Sequence, residues 1–96
     1  MKREDFVFTI GFHGNAAVVD AKAKRKYGKL GTMELAERGL YRSAFASALY
    51  SGDQDEIDEF IRYYCEQIGA QPGGVEEFKR LFGVDEAREI AKVIAV

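Results

Sequence analysis

Phe6-Val7-Phe8-Thr9-Ile10-Gly11-Phe12-His13-Gly14-Asn15-Ala16-Ala17-Val18-Val19-Asp20-Ala21-Lys22-Ala23-Lys24 is the stretch whose reading decides the fold. Phe6, Phe8, Ile10 and Phe12 alternate with Val7, Thr9 and Gly11, the two-residue period of a strand with one buried face. Gly14-Asn15 suits a two-residue hairpin turn that needs positive φ, and Ala16 to Lys24 reads as the return strand. A loop at 14–15 pairs His13 with Ala16, Phe12 with Ala17, Ile10 with Val19, Phe8 with Ala21 and Phe6 with Ala23. The opposite face then pairs Thr9 with Asp20, Val7 with Lys22 and Asp5 with Lys24. A slip of one residue would set lysines against phenylalanines, so the pattern selects this register.

Beyond the hairpin, a basic, glycine-punctuated connection (Arg25 to Gly31) leads to Thr32, which can cap a helix from Met33 to about Ser51. Met33, Ala36, Leu40, Tyr41, Ala44, Phe45, Ala48 and Leu49 form its apolar stripe. Gly39 within it costs about 1 kcal/mol relative to alanine and marks a close contact or a bend. The small residues Ser43, Ala44, Ala46, Ser47 and Ala48 allow another backbone to approach closely. Gly52 stops this helix, and Asp53-Gln54-Asp55-Glu56 opens the next, whose apolar positions are Ile57, Phe60, Ile61, Tyr64, Cys65 and Ile68. Its short connection to the preceding helix implies an antiparallel helical hairpin. Gly69 ends it, a loop follows to Gly74, and Val75, Phe78, Leu81 and Phe82 indicate a short helix stopped by Gly83. For the tail, Ala87, Ile90, Ala91 and Ile94 favour a helix, whereas Lys92-Val93-Ile94-Ala95-Val96 suits a strand.

The elements describe one α+β domain over residues 1–96: an N-terminal antiparallel β-hairpin packed on a helical hairpin, with one or two short C-terminal helices and a third strand as the alternative at the C-terminus. The chain's 96 residues, 47% of them hydrophobic and 31% charged, suit one modest core. The single cysteine excludes an intramolecular disulfide. No Cys/His cluster offers a zinc site, and no cofactor motif is present. The N-terminus lacks the apolar run of a signal peptide, and no stretch nears the roughly 20 apolar residues of a membrane span. A reducing, cytoplasmic setting away from membranes is expected.

Charge is segregated along the chain. Residues 1–31 carry seven basic against three acidic groups, a net +4, and residues 32–72 carry three against eight, a net −5. Such polarity attracts an anionic partner to one end, or lets one subunit's basic end meet another's acidic end. Because a two-stranded ribbon leaves both edges to manage, strand pairing between subunits also points to a homodimer.

The chemistry-bearing residues are few. His13 is the only histidine, and the spacing sets neither a carboxylate nor a nucleophile beside it; a polar residue flanking the turn is the plainer reading. Cys65 falls on an apolar helical face, as a small packing residue does. The carboxylates from Asp53 to Glu59 fall at a helix start, where acids are favoured, and lack the glycine and terminal glutamate of a calcium loop. The richest candidate surface is Lys22, Lys24, Arg25, Lys26, Tyr27, Lys29 and Thr32, which could take a phosphate at a helix N-terminus or stack a base on Tyr27. Glu34 to Phe45 resembles a helix-turn-helix with Gly39 at the turn. Its alanine, however, precedes the glycine by three residues instead of four, and the unbroken apolar stripe argues for one helix. The expectation is therefore a non-enzymatic interaction or regulatory module, a homodimer or a partner of another protein. Nucleic-acid or phosphate binding at Lys22–Thr32 is the first alternative. A small enzyme, in which His13 and Asp20 converge around a pocket with Tyr27 or Cys65, is the second.

Overall fold

The computed structural model describes residues 1–84 and 90–96. Its elements run α1 (Arg3–Val7), β1 (Thr9–His13), β2 (Ala16–Val19), α2 (Ala21–Tyr27), α3 (Thr32–Glu37), α4 (Tyr41–Ser51), α5 (Gln54–Ile68), α6 (Val75–Phe82) and β3 (Lys92–Ala95). The α+β class, the N-terminal hairpin and a C-terminal strand are all present. β2 is the central strand, antiparallel to β1 and parallel to β3. A parallel neighbour requires a crossover, and here the crossover carries α2 to α6.

The hairpin is shorter than its alternation suggests. His13 pairs with Ala16, Phe12 with Ala17 and Gly11 with Val18, and Gly14 takes the positive φ (62°) at the first turn position, where a II′-type turn places its glycine. Beyond Gly11 the expected register fails. Thr9, not Ile10, pairs with Val19, because a bulge between Thr9 and Gly11 leaves Ile10 over. Ile10 consequently turns outward and is 59% exposed, although its phenylalanine neighbours Phe8 and Phe12 are buried and half-buried.

Both outer ends of the expected strands are helical instead. In α1, Glu4 and Asp5 occupy the first turn, and the Thr9 hydroxyl donates to the Asp5 carbonyl at 2.6 Å, closing the last turn. In α2, the Asp20 carboxylate accepts from the Ala23 N–H at 3.0 Å, a side-chain cap, and Lys24, Arg25 and Lys26 lie in the last turn, where cations complement the helix dipole. Ala-Lys-Ala-Lys has the period of a strand but the intrinsic preference of a helix, and the cap decides between them. The expected Asp5–Lys24 pair does form, Nζ to Oδ1 at 2.6 Å, but it joins two helices and not two strands.

The expected 33–51 helix is two helices. Gly39 has φ +78°, its N–H donates to the Ala36 carbonyl, and the Leu40 N–H donates to that of Leu35, the paired bonds of a Schellman stop. Helix α3 starts at Thr32 itself. Its cap position is Gly31, whose N–H donates to Glu34 Oε1 at 3.1 Å, and the Thr32 hydroxyl donates elsewhere, to Ser47 Oγ at 2.9 Å. The later boundaries agree with the reading: Gly52, Gly69 and Gly83 end α4, α5 and α6, and Asp53 caps α5. The helical alternative for residues 85–89 of the tail lies outside the described residues, while Lys92–Ala95 is strand β3.

Helix α4 is the centre of the core. Ala44 to Leu49 are all buried, and α1, α3, α5 and α6 pack around it, which the run of small residues permits. Phe45 is fully buried, its ring 5.8 Å from Phe60, 5.9 Å from Phe78 and 5.5 Å from Phe82, within the range of favourable aromatic pairing. Val7, Phe8, Val19 and Leu35 complete the interior from the other side. Among the described residues, no helix is long and apolar enough to cross a membrane.

Candidate functional site

The basic connection folds as α2 and the turn after it. Lys22, Arg25 and Lys26 are spaced i, i+3 and i+4, so they share one helical face, and all three are exposed, as is Lys29. None of the four forms an ion pair with a described residue. The helix itself has no buried residue. A seven-residue helix is too short to persist alone in water, so its anchors matter. These are the Asp20 cap, the Lys24–Asp5 ion pair and a bond from the Ala21 N–H to the Val96 carbonyl at 3.0 Å.

The remaining sequence-predicted residues belong to the scaffold. Lys24 is held by Asp5, whose side chain is only 13% exposed. Tyr27 is half-buried with its ring against the core, and the Lys26 ammonium lies 5.3 Å from the ring centroid. Thr32 is buried and hydrogen-bonded to Ser47. Arg3, which the sequence reading passed over, ties this corner together. Its guanidinium donates to the carbonyls of Gly28 (3.1 Å) and Leu30 (2.7 Å) and to Ser47 Oγ (2.8 Å). The expected phosphate cradle at the α3 start is therefore filled: the Glu34 carboxylate already takes the Gly31 N–H, and Thr32 faces inward.

Helix α5 presents the opposite charge. Asp55, Asp58, Glu59 and Glu66 are exposed at spacings of 3, 1 and 7 residues, which keep them on one face with Arg62. From Gln54 to Ile68 the helix carries five acidic groups against one basic, and α2 carries four basic groups and no acid. Among the described residues, no group of three or more His, Cys, Asp or Glu side chains could hold a metal ion.

A second feature was not singled out in the sequence. A cavity of about 400 Å³ lies beneath the hairpin, lined by Phe6, Phe12, Leu49, Val84 and Ile90 around Arg42. Arg42 Nε donates to the Phe82 carbonyl at 2.8 Å, and Nη1 donates to the Thr9 carbonyl beside the bulge. No described carboxylate pairs with it, and burial pulls its pKa below the ordinary arginine value. The signal was available: Arg42, Phe45 and Leu49 stand at i, i+3 and i+7 of α4, which puts a cation on the apolar face.

His13 is exposed beside the turn, on the opposite strand face from Phe12. Cys65 is buried, and burial pushes its thiol pKa up, the direction that disfavours the reactive thiolate. Helix α4, the recognition element of the helix-turn-helix resemblance, is the most enclosed helix and has no face free for a DNA groove. No family model, curated protein or solved structure matches the chain.

Proposed function

We propose that the chain is a non-enzymatic interaction module that pairs with a second copy of itself, the basic α2 of each subunit lying against the acidic α5 of the other. The supporting observation is the separation of charge onto two helices. Lys22, Arg25 and Lys26 form one exposed face without ion-pair partners among the described residues, while Asp55, Asp58, Glu59 and Glu66 form another. In a two-fold dimer each contact occurs twice, so α2-on-α5 and α5-on-α2 close the assembly without leaving either patch open to a third copy. Complementary patches of this kind steer encounter and fix register.

Such pairing is salt-sensitive, because exposed charges are screened beyond about 8 Å at physiological ionic strength. Sedimentation velocity should find a dimer at low salt that dissociates as salt is added, and a monomer at both when Lys22, Arg25 and Lys26 are all replaced by Glu. A wild-type monomer at low salt and high protein concentration would refute the pairing. One observation favours a second reading, an anionic polymer such as RNA on the same face. Lys22, Arg25, Lys26 and Lys29 form an exposed run without an acid between them, the footprint of phosphate-backbone contacts. Adding RNA to the same sedimentation experiment separates the two: a monomer that co-sediments with RNA at low salt, and ceases to in the triple variant, supports that reading over self-pairing.

A further inference from the structure

The Arg42 cavity is independent of the α2 and α5 faces, and its chemistry points to a ligand of its own. Its walls are Phe6, Phe12, Leu49, Val84 and Ile90, and its volume of about 400 Å³ falls within the range of small-molecule sites. Thr9 and Tyr50 add polar lining, and among these walls the fold brings one guanidinium. Two of its N–H groups are committed to the neutral carbonyls of Thr9 and Phe82, which position the group without balancing its charge. The Nη2 end makes no hydrogen bond to a described residue. A half-buried cation whose acceptors among the described residues are all neutral gains from an anion that completes its hydrogen bonding, and a planar guanidinium matches a carboxylate through two parallel N–H···O bonds.

We propose that this cavity binds a monocarboxylate with an apolar body, its carboxylate on the free edge of Arg42 and its body between Phe6, Phe12, Leu49 and Val84. Among the described lining residues Arg42 is the one charged side chain, which favours a ligand with a single negative charge. A phosphate dianion would leave a buried charge unbalanced, and a neutral hydrocarbon would leave the guanidinium unpaired. The carbonyl bonds from Thr9 and Phe82 pre-orient Arg42, so little side-chain freedom is lost on binding.

Amide-resolved NMR titration tests this with two acids, decanoate for an aliphatic body and hydrocinnamate for an aromatic one, each compared with its uncharged primary amide. The expected result is saturable shifts at Phe12, Leu49 and Val84, with the acid binding about ten- to a hundredfold more tightly than its amide. The tighter of the two acids identifies the body. In Arg42→Gln the acid should lose that advantage while the amide binds as before. Should Arg42→Gln fail to fold, the wild-type acid-to-amide ratio decides, together with Ile90→Trp, which fills the cavity and should abolish the shifts while leaving thermal unfolding cooperative. Equal binding of acid and amide, shifts confined to Lys22, Arg25 and Lys26, or no saturable shift at all would each overturn the proposal.

Discussion

Cys65 stands at i+5 from Phe60 and i+4 from Ile61 on the buried side of α5, and burial pushes its thiol pKa up. The sign follows directly. The folded thiol ionises at higher pH than the unfolded one, so as pH rises through the unfolded thiol's range only the unfolded chain gains thiolate, and stability drifts down there. At neutral pH the same burial predicts that the native thiol reacts with iodoacetamide far more slowly than in urea-unfolded chain; equal rates would contradict it. At this scale the sequence was informative wherever a residue had a single physical option. Cys65 among Ile57, Phe60 and Ile61 had no polar partner to choose, and Phe8 had nowhere to go but inward. Arg3 and Arg42 were not legible, because a long cation can snorkel to water or reach a backbone carbonyl. The acceptors they reach, the Gly28 and Leu30 carbonyls and the Ser47 hydroxyl for Arg3 and the Thr9 and Phe82 carbonyls for Arg42, become their neighbours only once the chain has folded.

Among the elements, two sequence patterns carried two readings each. Lys22 to Lys26 alternates like a strand and has helical propensity, and the Asp20 cap turns it into α2. The stripe from Met33 to Leu49 suits one helix, yet Gly39 ends α3 with a Schellman motif, and Leu40 stands at the cap position of a separate α4. Gly39→Ala separates these directly. In a continuous helix the change would stabilise by about 1 kcal/mol. At φ +78°, with no atom within 4 Å of the added methyl, the penalty is purely one of backbone conformation, about 1–2 kcal/mol of lost stability. Urea unfolding reads the sign. Where a terminus signal stood alone, at Gly52-Asp53 or Gly83, the boundary was legible, because no competing pattern ran through it.

At the level of the molecule, the chain fills 35 × 26 × 21 Å with a radius of gyration of 12.9 Å, near the roughly 12–13 Å of a compact domain of this length. The α+β class was legible because it follows from periodicity, whereas the tail carried both a helical and a strand pattern, and only its pairing with β2 makes Lys92–Ala95 a strand. The placement of α4 at the centre was only half visible, as a run of small residues. The charge segregation was visible as numbers along the chain, but its concentration on two solvent-facing helices required the fold, since an α2 built as strand would have put its lysines beside Asp5 and Asp20. Self-pairing through those helices is the central claim, and mixing two charge-reversed variants tests it most directly. One carries Lys22→Glu, Arg25→Glu and Lys26→Glu; the other carries Asp58→Lys, Glu59→Lys and Glu66→Lys. In low-salt sedimentation velocity each alone should be a monomer, having two faces of like sign, and their equimolar mixture should form a dimer, because both contacts become complementary again. Variants that dimerise alone, or a mixture that stays monomeric, would contradict it.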